Sequence, residues 1–181
     1  MSRVQLINPA ETTSDRQVVL EQVNKAFGAT PNLFKAVANS PAALKSMWGS
    51  FVALGAGVLG AQLGEQIAVA VANRNGCEYC VAAHTVLGKG AGVSARDMSA
   101  AQAGQSTDPR TAAALTFALK LVTERGQVSA DDVTELRGAG FDDEQIVEIL
   151  AHVALNLFTN YVNVAFDVPV DFPKVALISA V

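Results

Sequence analysis

The sequence predicts an all-α protein, and three observations support this fold class. Half of the 181 residues are hydrophobic but only 6% are aromatic, a balance that favours closely packed helices. Apolar residues recur three and four positions apart along most of the chain, as on one face of a helix. The residues between these stretches are typical helix starts and stops, and we find no alternating pattern of the kind that indicates a strand.

Capping residues and helix breakers divide the chain into nine predicted helices. Ser, Thr, Asp or Pro stands where most of them begin, and Gly follows the end of several. The last helix is the longest, and the prolines that follow it convert the tail to extended chain. The predicted helices run near 15–27, from Pro31 through Val37, from Ser40 through Leu54, from Gly64 to Asn73, from Cys77 to about Leu87, from Ser94 to Ala103, from Pro109 through Val122 to Gly126, from Ser129, and from about 143 to 166.

Length and charge limit the organisation and the partners. We expect a single domain over 1–181, with its motif-bearing core at about 31–166, because a chain of this size can bury one sizeable core. The net charge of −4 and the scattered Lys and Arg residues provide no basic field for phosphates, so we expect no nucleic-acid partner.

An uncharged span from Ser46 to Gly64 approaches the length of a transmembrane helix. It contains five glycines and several polar residues, so we expect buried core or subunit interface and no membrane partner. The N-terminus lacks the apolar stretch and small-residue cleavage site of a secretory signal. We therefore expect a cytoplasmic protein, in which a close pair of cysteines is more often redox-active or metal-binding than structural.

The cysteine pair stands in a pattern with a histidine. Cys77 and Cys80 are three residues apart and His84 follows four residues later, so all three can project from one side of a helix. A bend at Asn75-Gly76 would fold the chain into a helical hairpin. Glu65 and His84 would then lie at similar distances from the bend, about 15 Å along their helices, where carboxylate and imidazole can meet.

This set of groups matches what a dithiol peroxidase needs. A thiolate attacks the O–O bond, a nearby base generates the thiolate, and a second thiol converts the sulfenic acid to a disulfide. We expect Cys80 to be the nucleophile, because His84 is one helical turn away and Glu65 can orient the imidazole or relay its proton. Cys77 would be the resolving thiol, although its place nearer the helix N-terminus favours a lowered pKa there.

The segment from Glu65 through Cys77-Glu-Tyr-Cys80 to His84 resembles the signature of the carboxymuconolactone decarboxylase family, in its alkylhydroperoxidase D-like (AhpD-like) branch. The resemblance extends more weakly from about Pro31 to Pro173. It implies an AhpD-like helical bundle with a helical hairpin that carries the CxxC motif. It also implies a homo-trimer or homo-hexamer, and a peroxidase with Cys80 peroxidatic, Cys77 resolving, and Glu65 and His84 as a proton relay.

The expected reaction is reduction of a hydroperoxide in antioxidant defence, with the disulfide re-reduced by an external dithiol, lipoyl- or thioredoxin-like. No bound cofactor and no metal is required. The chain departs from the best-known peroxidases of the family at Tyr79, where those proteins have a histidine that joins the relay. A phenol is a poor base at neutral pH, so the relay is expected to be weaker or the substrate different.

Other functions are compatible with the same residues. Cys77, Cys80 and His84 could bind zinc with Glu65 or His152, although no second CxxC supports a metal site. A lyase resembling the founding decarboxylases is a second enzymatic alternative, but those members lack the Cys pair. A non-peroxidatic thiol-disulfide exchanger or redox sensor is a third.

A polar stripe marks the longest predicted helix. His152, Asn156, Asn160 and Asn163 recur at helical spacing on an otherwise apolar segment. Such a stripe more often forms a hydrogen-bond network between helices or subunits than a catalytic site, because buried amides need partners. We therefore expect a structural role for it.

Overall fold

A computed structural model describes residues 2–178. Within that range it is all-helical and contains no β-strand, which confirms the predicted fold class. A short 3-10 helix at Pro9–Glu11 precedes the α-helices. The α-helices are α1 (Ser14–Phe27), α2 (Asn32–Val37), α3 (Pro41–Gly55), α4 (Ala61–Arg74), α5 (Glu78–Gly90), α6 (Ala95–Gln102), α7 (Pro109–Thr123), α8 (Ala130–Gly138) and α9 (Asp143–Ala165).

The centre of the fold is the hairpin of α4 and α5. Helix α4 is buried along nearly all of its length, and its Ala and Val side chains allow α5, α6, α7 and α9 to pack closely around it. The chain reverses at Gly76, whose φ of 67° lies in the left-handed region that favours glycine. The predicted hairpin and the position of its bend are therefore confirmed.

Helix α9 packs along α4, from Glu148 beside the loop that precedes α4 to Asn160 at the bend of the hairpin. A capping box at Asp142 and Gln145 begins the helix, because each side chain accepts a hydrogen bond from the other residue's backbone N–H. Its buried positions include apolar residues in the N-terminal half and the predicted polar stripe in the C-terminal half. The stripe therefore faces the protein interior beside α4 and α5.

The two terminal segments pack back onto the bundle. The Arg3 backbone N–H donates to the carbonyl of Phe166 at the end of α9. After α9, the tail passes the start of α2, where the Asp171 carboxylate accepts a 2.8 Å hydrogen bond from the Asn32 N–H. It then reaches α4, where Ile178 and the Asn73 side chain exchange two hydrogen bonds. The tail thus closes over the same side of the bundle as the cysteine pair.

Helix α5 approaches α6 closely at Gly88. A Cβ atom added there would overlap the buried Met98 side chain, whereas one added at Gly90, two residues later, would meet nothing within 4 Å. The absence of a side chain at Gly88 therefore sets how closely α6 can pack on the hairpin. Among residues 2–178, no helix is both long and apolar enough to cross a bilayer.

Candidate active site

The cysteine pair lies at the start of α5. Cys77 is the N-cap of the helix, with an extended backbone, and Cys80 is in its first turn. The Cys80 backbone N–H donates to the Cys77 sulfur at 3.2 Å, so this thiol occupies the position that Ser or Asp usually takes at a helix start. The sequence predicted Cys77 as the first helical residue, and it is the capping residue instead. Both thiols are free and buried.

Glu65 and His84 meet across the hairpin as the sequence predicted. His84 Nδ1 lies 2.8 Å from Glu65 Oε2, and both side chains are mostly buried. Burial lowers the pKa of His84, but the charge of Glu65 and the hydrogen bond to it act in the opposite direction, and the net effect is a raised pKa. The carboxylate therefore stabilises the imidazolium and fixes the orientation of the ring.

The polar stripe of α9 contacts the reactive groups, which the sequence did not predict. Asn163 Nδ2 donates to the Cys80 sulfur at 3.1 Å. The Asn160 amide also lowers the pKa of Cys80, and the Asn156 side chain raises that of His84. The spacing of the stripe could have indicated this site. However, the same spacing suits an ordinary network between helices, and nothing local in the sequence connects α9 to α5.

The two thiols have opposite electrostatic environments. Burial raises the pKa of Cys80, but the Cys77 thiol, the charge of His84 and the Asn163 and Asn160 amides together lower it to about 7. The pKa of Cys77 is raised, first by its hydrogen bond to Cys80 and then by burial. At neutral pH the arrangement therefore favours a Cys80 thiolate that accepts a hydrogen bond from a protonated Cys77.

Tyr79 forms a wall of the site. Its ring packs edge-on against Phe172 with centroids 5.6 Å apart, and its hydroxyl accepts a hydrogen bond from the Leu33 N–H at 3.2 Å. Burial and the neighbouring Asp171 carboxylate raise its pKa, so the phenol stays protonated. Tyr79 therefore has no capacity to act as a base in the relay.

An apolar pocket opens onto Cys80 and His84. Its empty volume, including open solvent at the mouth, is about 390 Å³. Most of the lining is aromatic or aliphatic, and it comes from the end of α1 and the turn after it, from α2, α3, α5 and α9, and from the tail. The aromatic side chains in the lining are Phe27, Phe34, Phe51, Tyr79 and Phe172.

His152 lies at the far side of the relay. Its ring packs over Gly64, where an added Cβ would come within 3.1 Å of the ring, and its Nε2 is buried without a hydrogen-bond partner. Burial lowers the pKa of His152. Among residues 2–178, no group of three or more His, Cys, Asp or Glu side chains is arranged to hold a metal ion. The zinc set considered from the sequence is therefore not assembled in the described structure.

The fold is an all-helical bundle of the AhpD-like type. Its candidate site combines a cysteine pair at a helix start, Cys77 and Cys80, with Glu65 and His84. The model of the carboxymuconolactone decarboxylase family matches residues 38–124 of the chain. The matched range includes the segment that carries the four residues, so the resemblance seen in the sequence is confirmed. No curated protein matches the chain in sequence.

Solved structures share the fold over most of the chain. An uncharacterised peroxidase-related protein with an alkylhydroperoxidase AhpD core, from Ralstonia eutropha JMP134, is 25% identical with a TM-score of 0.84, over 94% of this chain and 92% of that one. A peroxidase-related protein from Silicibacter sp. TM1040 is 24% identical with a TM-score of 0.81, over 97% and 92%. A Cys-to-Ala variant of the debrominase Bmp8, in complex with 2,3,4-tribromopyrrole, is 23% identical with a TM-score of 0.78, over 94% of each chain. These likenesses confirm the AhpD-like fold.

Proposed function

We propose that this protein is a thiol-dependent peroxidase that reduces organic hydroperoxides through Cys77 and Cys80. The observation that carries the proposal is the position of Cys80. Its sulfur lies at an apolar pocket, accepts a hydrogen bond from Asn163, and has its pKa lowered by Cys77 and His84. A stabilised thiolate that an organic molecule can reach is the main requirement of a peroxidatic site.

The first half-reaction oxidises the dithiol. The Cys80 thiolate attacks the terminal oxygen of the hydroperoxide, the O–O bond breaks, and the alkoxide takes a proton from the His84 imidazolium and leaves as an alcohol. Cys80 is then a sulfenic acid. The Cys77 sulfur attacks it, the S–O bond breaks, and the hydroxyl leaves as water with the Cys77 proton. The product is a Cys77–Cys80 disulfide.

The role of Glu65 follows from its contact with His84. The carboxylate holds the imidazole from the Nδ1 side and stabilises its charged form, and the Asn156 side chain favours the same form. We assign Glu65 as the residue that positions and charges His84. Tyr79, a protonated phenol at the wall, completes the pocket without moving a proton.

The pocket lining favours an organic substrate. Aromatic and aliphatic side chains surround the approach to Cys80, so the apolar group of an alkyl or aryl hydroperoxide gains more by leaving water than hydrogen peroxide does. An external dithiol closes the cycle by reducing the disulfide, and the chemistry requires no bound cofactor.

We also propose a homo-oligomer. Helix α9 exposes apolar side chains at helical spacing, among them Val147, Leu150 and Tyr161, which are 67%, 50% and 59% exposed. An apolar stripe of this kind suits contact with a second copy of the chain. Sedimentation equilibrium of the wild type and of a Leu150→Glu variant tests this: a trimer or hexamer is expected for the former and smaller species for the latter. A monomeric wild type would contradict it.

The experiment that tests the peroxidase is hydroperoxide consumption with excess dihydrolipoamide. The wild type is expected to turn over cumene hydroperoxide, and Cys80→Ser to be inactive. Cys77→Ser is expected to complete one turnover and accumulate sulfenic acid, detected with a dimedone-type reagent. Ser99→Ala, on α6, is a control for expression and handling. Full turnover by Cys80→Ser, or none by the wild type, would refute the proposal.

A second candidate function is thiol-dependent reductive dehalogenation. The aromatic lining of the pocket favours it, together with the likeness to a debrominase crystallised with a bromopyrrole. The Cys80 thiolate would take the halogen from carbon, His84 would protonate the carbon left behind, and Cys77 would displace halide to form the same disulfide. Halide release from a brominated pyrrole or phenol, measured beside peroxide consumption, separates the two functions.

A further inference from the structure

A second cleft reaches the cysteine pair from another direction. It lies between the start of α5 and the end of α9, and its empty volume, including the mouth, is about 550 Å³. Cys77 lines this cleft and Cys80 lines the apolar pocket, whereas Tyr79 lines both and separates them. The two sulfurs are therefore approached through different openings.

The chemistry of disulfide reduction distinguishes the two sulfurs. An incoming thiolate forms a bond to one sulfur and expels the other, and the thiol of lower pKa leaves faster. In the reduced protein Cys80 is the stabilised thiolate, because Asn163 and His84 favour its charged form. Reduction is consequently fastest when the reductant bonds to Cys77 and Cys80 is the leaving group.

We propose that the second cleft is the docking site of the reductant, a small uncharged dithiol that attacks the Cys77 sulfur while hydroperoxide reaches Cys80 through the apolar pocket. This inference rests on the proposed peroxidase function and specifies the site of its reducing partner. Cys77 is buried in the cleft wall, so the reagent must be narrow enough to reach it, as the dithiol at the end of a flexible arm is.

The charge of the cleft favours an uncharged reductant. Two acidic residues, Glu78 and Asp167, line the cleft at exposed positions, and the chain as a whole carries a net charge of −4. A dithiol that bears its own carboxylate is repelled there, because like charges within a Debye length raise the free energy of the encounter.

The electrons and atoms balance in two exchange steps. The first thiolate of the reductant bonds to Cys77, the Cys77–Cys80 bond breaks, and Cys80 leaves as a thiolate that Asn163 stabilises. The second thiol of the reductant then attacks its own sulfur in the mixed disulfide and expels Cys77, which takes up that proton. The reductant leaves as a cyclic disulfide, and the protein dithiol is restored.

The first test identifies the attacked sulfur in the wild-type protein. The disulfide is formed beforehand with diamide, so no peroxidase activity is needed. It is then mixed with 2-mercaptoethanol, and the products are quenched with excess maleimide and mapped by tandem mass spectrometry. We expect the mercaptoethanol adduct on Cys77 and maleimide on Cys80. The reverse pattern, or equal amounts of both, would overturn the proposal.

The second test measures the charge preference of the cleft. Reduction of the preformed disulfide is timed with dihydrolipoamide and with dihydrolipoate, which differ in one charge. We expect the wild type to prefer the amide about threefold, Glu78→Gln to lose part of this preference because Asp167 remains in the cleft, and Glu78→Lys to lose all of it. Glu124→Lys makes the same change in net charge at the exposed end of α7 and should leave the preference unchanged.

The outcomes separate the cleft from the peroxidase. Equal preferences in Glu78→Lys and the wild type would overturn the docking site, whatever the protein oxidises. A protein that is not oxidised by hydroperoxide, but shows the Cys77 adduct and the Glu78-dependent preference, would refute the peroxidase and leave the cleft as the reductant site of another dithiol enzyme.

Discussion

Asn163 offers the most direct way to test how the protein stabilises the Cys80 thiolate. Its amide donates a 3.1 Å hydrogen bond to the sulfur, so Asn163→Ala removes a bond whose acceptor is charged. Hydrogen bonds to charged groups contribute about 1.5–3 kcal/mol, and sulfur is a weak acceptor, so the lower end applies. One pKa unit corresponds to about 1.4 kcal/mol. We therefore expect the pKa of Cys80 to rise by about one unit.

The assay is the rate of Cys80 alkylation by iodoacetamide as a function of pH. In the wild type we expect a half-maximal rate near pH 7, because that is where the thiolate forms. In Asn163→Ala the curve should move up by about one unit, so that the rate at pH 6 falls about tenfold. Cys77 does not interfere, because its pKa is raised and its thiol reacts slowly.

Asn73→Ala is the matched control. Asn73 is an interior asparagine of α4 whose amide bonds to the tail and to Gln102, away from the thiols. It should lower the free energy of unfolding without moving the alkylation curve. An Asn163→Ala variant that folds normally and titrates as the wild type does would refute our account of how the thiolate is stabilised.

Two further predictions concern the pocket wall and the packing of α5. Tyr79→Phe should leave the alkylation curve of Cys80 in place, because the phenol stays protonated and takes no part in proton transfer. It should lower the unfolding free energy by about 1 kcal/mol, because the hydroxyl that accepts a hydrogen bond from the Leu33 N–H is lost. A shift of the alkylation curve would contradict this. Gly88→Ala should lower the unfolding free energy by about 1–3 kcal/mol through overpacking, while Gly90→Ala should raise it by about 0.5–1 kcal/mol. Urea unfolding measures both effects, and equal effects at the two glycines would contradict the packing argument.

The helices and the hairpin were predictable because the information is local. Caps, glycines and apolar spacing lie within each element, and the Asn75-Gly76 break brings Glu65 to His84 by geometry alone. The short 3-10 helix at Pro9–Glu11 was missed, since three residues carry too weak a pattern. The assignment of one domain over 1–181 stays a prediction.

The rest of the site depends on contacts between distant segments. Asn163 meets Cys80 only because α9 packs along α4 and ends beside the start of α5. The apolar pocket combines side chains from before α2 to beyond α9, from Phe27 to Phe172. Spacing along the chain shows which residues share a face but not which face meets which. The second cleft likewise could not be predicted from the sequence, because it forms only where the end of α9 lies beside the start of α5.

The same contacts lead to a prediction about the pH range in which the site works. With ordinary pKa values of 9.0 for a thiol and 6.5 for an imidazole, the histidine loses its proton before the thiol does, so the thiolate–imidazolium pair is never the main form. Here the pKa of Cys80 is lowered to about 7 and that of His84 is raised. The two shifts make the pH range of the Cys80 thiolate overlap more with that of the His84 imidazolium, because each charge stabilises the other.

The rate of peroxide reduction should therefore rise with pH through about 7, as the thiolate forms, and fall at higher pH as His84 loses the proton it gives to the leaving alkoxide.

Glu65→Gln removes the charge that raises the pKa of His84. The alkaline limb should then move to lower pH. The acidic limb should move to higher pH, because a neutral His84 no longer stabilises the Cys80 thiolate. The pH range in which the protein reduces peroxide thus becomes narrower at both its acidic and its alkaline end. Glu124→Gln, at the exposed end of α7, should leave the profile unchanged. A Glu65→Gln profile that differs from the wild type only in height would show that Glu65 orients the ring without setting its charge.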